Sequence, residues 1–255
     1  MHKVQQAPTE KRRAPLRSSL VPISSLSTAD RGEMLALMQR HYDYVTAEQF
    51  ATDLKAKQWV VLARDDQNKV CGFATQELRT HEIDRRLIRV LFSGDTIVDR
   101  RYWGNNSLIG AWGDFAIQLM DKYGGDPLYW HLITKGYKTY RLLPLFFHEF
   151  YPRYDQSTPP SIRKLIDSVS LARFPKQYDS TVGVVRATSD GCRLRSGIAD
   201  ITSTRLRNPH IRYFADRNPG HAWGDELSCL APLSHENFTE TAYRAIHHYR
   251  TSAAQ

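Results

Sequence analysis

Apolar residues recur at helical spacing through residues 27–57, then give way to the alternating and continuous runs expected of strands. The first part predicts two helices. Thr28 or Asp30 can cap the first, with Glu33 in a capping-box position relative to Asp30 and Met34, Leu35, Leu37 and Met38 on the apolar face. Thr46 caps the second, where Phe50 and Leu54 lie four apart. WVVLAR (59–64), the polar turn DDQNK and VCGFATQELR (70–79) predict a β-hairpin. A third strand is expected over 87–98, with Gly94 marking a bulge or a close backbone approach. A helix from Asn106 or Ser107 to about Tyr123 follows, then a strand over 128–133 and a helix from Tyr137 that Pro144 must interrupt. Further on, the pattern predicts a helix over 161–172, strands over 182–188, 211–215 and 227–233, and a closing helix over 240–249.

Three strands pair before the first crossover, so the order predicts an α/β (α+β) layout with a mixed sheet and not a Rossmann array. The expected organisation is a flexible basic tail over 1–20, where Lys3, Lys11, Arg12, Arg13 and Arg17 face only Glu10, followed by one domain over 21–255. No hydrophobic run follows those charges, which argues against a secretory signal. A mean hydropathy of −0.51 without a long apolar stretch excludes a transmembrane helix. Cys71, Cys192 and Cys229 are too scattered for a disulfide framework or a zinc site and are expected to be structural thiols in a reducing, cytoplasmic setting. The net charge of +8 suits an anionic ligand or partner. It would also permit nucleic-acid binding by a noncatalytic module, but no helix-turn-helix, zinc or RNP-like pattern supports that reading.

The stretch between the third strand and the following helix carries the chemistry. A turn of this kind leaves backbone N–H groups unpaired at a helix N-terminus, which suits a phosphate or pyrophosphate. The residues are Arg101-Tyr102-Trp103-Gly104-Asn105-Asn106, with Arg100 adjacent. This turn, in this element order, resembles the Q/R-x-x-G-x-G/A turn of the GNAT superfamily of acyl-CoA N-acyltransferases over roughly 27–152. Asn106 stands where the family has its final Gly or Ala. The resemblance implies a mostly antiparallel central sheet with helices on both faces and a splayed strand pair. It also implies acetyl-CoA or another acyl-CoA as donor, no metal, and a small-molecule or peptide amine as acceptor. Donor contacts would come from Ile97, Val98, Arg101, Trp103, Gly104, Asn105, Asn106, Ser107, Thr134, Lys135 and Tyr137.

Acyl transfer to an amine needs donors for the developing oxyanion, a proton acceptor for the amine and a proton for the departing thiolate. Asp95, just before the turn, is the first candidate base, with Ser93 expected to line the same groove. His131 on the partner strand is a second candidate. The family's helix-borne Tyr has Phe146 nearest to its position here, so either Tyr140 or Tyr137 would supply the acid or no side-chain acid is used. Turn capping is the competing reading of Asp95, a packed or exposed ring that of His131, and core packing that of the tyrosines. His221, Asp225 and Glu226 could border the acceptor pocket. Within the same fold, an acyl carrier protein is the rival donor, favoured by Arg163, Lys164, Arg205, Arg207 and Arg212. The sequence leaves both a monomer and a homodimer open.

Overall fold

The computed structural model describes residues 16–253, so most of the predicted tail lies outside the described residues. Its end does not: Arg17–Pro22 form strand β1, paired antiparallel to β3 from Arg17↔Arg64 to Pro22↔Trp59. The polar RSS stretch hid this edge strand, whose partner lies some forty positions away. Helix α1 (Thr28–His41) is capped by Ser27 in a reciprocal capping box with Asp30, one position before Thr28 and three before Asp30, the two caps the sequence pattern offered. Glu33 instead accepts a hydrogen bond from the Val70 N–H at 2.7 Å. After the two-residue strand β2 (Tyr42–Asp43), Thr46 caps α2 (Ala47–Lys55) as expected.

Strands β3 (Trp59–Arg64), β4 (Val70–Ile83) and β5 (Arg86–Val98) meander antiparallel. The β4–β5 register shifts between Ala74 and Gln76, so Gly94 and Asp95 form the bulge that Gly94 signalled. Only glycine fits there: a Cβ on Gly94 would lie 2.6 Å from Thr75 Oγ1 and 3.0 Å from Lys57 Cε. A turn then leads into α3 (Ser107–Lys122), and the chain returns as β6 (Leu128–Thr134). Pro144 divides the next helix into α4 (Tyr137–Tyr140) and α5 (Leu142–Phe146). Helix α6 (Pro160–Arg173) and the short strands β7 (Tyr178–Asp179), β8 (Val184–Val185) and β9 (Arg193–Leu194) follow. The run expected as a strand over 211–215 is helical: α7 spans Pro209–Arg217, capped by the Asn208 side chain with proline at its first position. β10 (Glu226–Pro232) and α8 (Glu240–Ala253) close the described chain.

Eight strands build one mixed sheet in the order β1-β3-β4-β5-β6-β10-β8-β7. The β5–β6 pair is parallel; the other neighbours are antiparallel. Helices cover both faces. Val61 and Ala63 of β3 join the α3–α8 core, while Val60 and Leu62 face the core with α1 and α2, and α6 packs over Val90 and Leu230. The α3–α8 contact is close enough to require glycine: a Cβ on Gly110 would sit 2.7 Å from Ala245 O and 2.8 Å from Tyr249 Cβ. Gly110→Ala is therefore expected to destabilise the fold by about 1–3 kcal/mol, although alanine is the better helix former. Urea unfolding measures this, and an unchanged midpoint would show that α8 can yield.

Candidate active site

The parallel pairing of β5 with β6 runs from Arg89↔Leu128 to Ser93↔Leu132 and stops. Beyond it, β5 stays on β4 through the bulge while Ile133 and Thr134 stay on β10, so the two strands splay. A cleft of about 500 Å³ opens between them, lined by Asp95, Ile97 and Val98 of β5 and by Ile133, Thr134 and Lys135 at the end of β6. The Asp99 N–H donates to Cys71 O at 2.8 Å. By the alternation of an antiparallel ladder, the Thr96 and Val98 N–H groups point the other way, toward the opening.

The turn after β5 forms one wall. Gly104 has φ +86°, a left-handed conformation that glycine adopts without strain. The expected row of unpaired amides over Trp103–Ser107 is broken: Trp103 N–H donates to Arg100 O, Asn105 N–H to Tyr102 O, and Ser107 N–H to the Asn105 side chain. Among the described residues, the N–H groups of Gly104, Asn106, Leu108 and Ile109 have no acceptor, and all four residues line the cleft. Four unpaired donors at the positive end of a helix of sixteen residues remain a site for an anion. Trp103 lines it too, held by a 2.9 Å bond from its Nε1 to Val98 O. The Lys138 ammonium lies 3.1 Å from the Trp103 ring centroid and the Arg100 guanidinium 5.5 Å from it. Burial, and then Arg100, bring the Lys138 pKa down to about 8.

At the other end of the cleft stand Asp53, Asp95 and Glu226 with Lys57 and Lys135. Burial raises the pKa of Asp95 against the pull of Lys57 and Lys135, and burial likewise raises Glu226, which Asp95 pushes further. Lys135 Nζ donates to Cys192 O at 3.0 Å and Cys192 Sγ at 3.3 Å, and lies 3.6 Å from Glu226 Oε1. Burial alone would pull Lys135 down, but Glu226, Cys192 and Tyr42 together raise it, so it stays charged. Cys71 and Cys229 are buried as expected, whereas Cys192 is half-buried and lines the cleft. Lys57, Tyr42, Lys138, Arg173 and Cys192 were not singled out from the sequence, because no local pattern ties such distant positions together.

Several expected site residues stand elsewhere. His131 is buried behind Phe92, ring centroids 5.4 Å apart, and hydrogen-bonds with Ser228 Oγ at 3.0 Å instead of facing the cleft. Tyr140 is fully buried, its hydroxyl donating to Pro152 O at 2.9 Å, and burial raises its pKa, so it cannot reach a leaving thiolate. Tyr137 is packed in the core, and neither tyrosine lines the cleft. Arg101 is drawn away by a two-pronged pair with Asp99 (3.1 and 3.3 Å). Ser107 also lies off the lining, bonded to Ser18 Oγ at 2.9 Å. Ser93 turns inward, between Gln76 and Trp130. Of His221, Asp225 and Glu226, only Glu226 borders the cleft. On α6, Arg163 pairs with Asp167 of the same helix and Lys164 with Asp84 of the β4–β5 turn, so the basic residues named for a carrier protein do not act as one unpaired set.

Burial, then Arg173 and His81, depress the His131 pKa to about 3, so the folded protein keeps this ring neutral where an unfolded chain protonates it near 6.5. The unfolded state then binds more protons as the pH falls below 6.5, and stability falls with it. The loss attributable to His131 at pH 5 is about 2 kcal/mol. His131→Gln should lose less stability than the parent between pH 7 and pH 5 in denaturant titrations. Equal losses would remove His131 as the acid-sensitive element.

No protein-family model matches the chain, and no curated protein matches it. Among solved structures it is similar to a GNAT family N-acetyltransferase from Escherichia coli in complex with CoA, at 17% identity and TM-score 0.35 over 52% of this chain and 67% of that one. It is also similar to the ribosomal-protein-S18-alanine N-acetyltransferase from Escherichia coli, at 13% identity and TM-score 0.40 over 85% and 94% of the two chains. A third is glucosamine-6-phosphate N-acetyltransferase from Arabidopsis thaliana, at 12% identity and TM-score 0.37 over 57% and 97%. These overlaps are too loose to carry an argument about activity. The chain's own sheet order, the splay of β5 from β6 and the glycine turn opening α3 give it a mixed, mostly antiparallel α/β fold with helices on both faces.

Proposed function

We propose that this protein is an N-acyltransferase that passes an acyl group, acetyl in the first instance, from acyl-CoA to a primary amine. The observation that carries the reading is the splayed β5–β6 cleft, with unpaired amides at one end and a carboxylate of raised pKa at the other. The N–H groups of Gly104, Asn106, Leu108 and Ile109 hold a diphosphate, with Lys138 and Arg100 supplying positive charge. A bound phosphate keeps Lys138 protonated. The open edge of β5 at Thr96 and Val98 offers backbone partners to an extended, amide-bearing arm.

Asp95 accepts a proton from the amine as its nitrogen bonds to the thioester carbonyl carbon. The carbon–sulfur bond breaks, and the proton reaches the sulfur through solvent, since Tyr140 and Tyr137 are packed away from the cleft. Lys57 and Lys135 pull the Asp95 pKa down against the effect of burial. Titration of the protein with CoA, followed by release of free thiol from acetyl-CoA on adding amines, tests the assignment. Micromolar binding and amine-dependent release are expected. Absence of CoA binding overturns it, and consumption of an acylated carrier protein in its place would reassign the donor.

A further inference from the structure

The end of the cleft that holds Asp95 also holds a buried ammonium group without a counter-ion. Lys57 is only 9% exposed, yet it lines the cleft with Phe92 and Arg173. Among the described residues its Nζ makes one hydrogen bond, to Asp53 O at 3.0 Å, and it enters no ion pair within 4.0 Å. An ammonium carries three donors, so the others go unused in a side chain almost wholly withdrawn from water. Holding a charge in that state is costly unless an anion joins it. Asp95 is in the mirror situation: it lines the same cleft and pairs with no cation within that distance among the described residues.

The two groups are neighbours. Lys57 Nζ lies 3.5 Å from the point where a Cβ on Gly94 would stand, and Asp95 is the next residue of the bulge. Arg173 adds a second cation on the Lys57 side. Its guanidinium lies on Phe92, 3.7 Å from the ring centroid, with Lys57 Nζ 5.7 Å from the same centroid. Among the described residues only one of its nitrogens is engaged, by Glu77. Burial, and then Arg173, lower the Lys57 pKa, an effect that a bound anion reverses. A carboxylate and an ammonium that stand close without pairing are the complement of a zwitterion. We infer that the acceptor is an α-amino acid with an apolar side chain: its amine meets Asp95, its carboxylate bridges Lys57 and Arg173, and its side chain lies against Ile133 and Phe174, which also line the cleft. The word acceptor rests on the acyltransferase reading. The zwitterion site itself does not depend on it.

Leucine, leucinamide and 3-methylbutylamine share one side chain and differ only at the carboxylate. Each is titrated calorimetrically into the full chain, with and without CoA, and then offered with acetyl-CoA. Leucine should bind at least about tenfold more tightly than either of the others, the gain expected of a charge-assisted contact to two cations. Lys57→Met and Lys57→Gln both remove the buried charge, the second keeping a donor for Asp53 O, so the fold should hold in a thermal melt. In both variants leucine should lose its advantage, while Lys57→Arg should keep most of it. Comparing amines within one variant cancels whatever the substitution does to Asp95. Equal affinities in the parent, a preference for leucinamide or 3-methylbutylamine, or a leucine preference that survives loss of the Lys57 charge would each overturn the proposal. A preference that depends on Lys57, without thioester consumption, would keep the zwitterion site and sink the acyl transfer. Consumption without the preference would do the reverse.

Discussion

Gly104→Val abolishes donor binding while leaving most of the fold's stability in place. The φ of +86° at this position costs an L-residue roughly 1–2 kcal/mol, and more for a β-branched one. The variant relieves that strain by moving the turn. The turn carries the Gly104 and Asn106 amides, and hydrogen bonds to a charged acceptor are worth about 1.5–3 kcal/mol each. Losing both weakens CoA binding by at least about a hundredfold, since about 1.4 kcal/mol corresponds to a factor of ten. The core is spared, because Trp103 and Gly104 stand outside the main packed cluster. Calorimetry with CoA and a thermal melt read the two effects separately. Wild-type affinity in this variant would remove the turn from the site.

Asp95→Asn lowers turnover by about 10²–10⁴, the usual worth of a positioned proton acceptor, with little change in donor affinity. Its pH profile supplies a second readout. A base must be ionised to work, and the Asp95 pKa is raised by burial, so parent activity falls on the acid side at a pH above the ordinary carboxylate range. The variant lacks that limb. Stability moves in the opposite direction. The folded protein holds the Asp95 proton more tightly than the unfolded chain does, so ionising this group costs stability as the pH rises. Removing the charge should raise Tm at neutral pH. Lower activity together with higher stability is the signature of a strained catalytic carboxylate. A parallel loss of both would show a structural role instead.

The parts legible in the sequence are those set by neighbours along the chain. Thr46 announced α2, the apolar runs at 59–64 and 70–79 announced the hairpin, and Gly94 announced the bulge that places Asp95. Where the reading failed, a local signal was outweighed or overlooked. The run at 211–215 looked like a strand, yet Asn208 and Pro209 already spelled a helix start. Arg101 fit a motif by position and Tyr140 stood in for a Tyr whose place Phe146 takes, but Asp99 and Pro152 O claimed them first. Glu226, Lys57 and Cys192 meet only in three dimensions. Asp95 and Lys135 came from the β5 and β6 ends; the groups that tune them came from the residues just after α2, from β10 and from the segment before β9.

The position of β10 in the sheet has a consequence for how this fold comes into being. Strand β6 is clasped by β5, its predecessor in sequence, and by β10, which arrives only near the end of the described chain. A nascent polypeptide that has completed α5 already carries the turn that opens α3, but β6 still shows a bare, aggregation-prone margin and the hollow lacks Glu226. Such distant pairing makes folding slow and dependent on late-made segments. A truncation before residue 226 should therefore forfeit solubility along with activity, so competence is conferred in one late step.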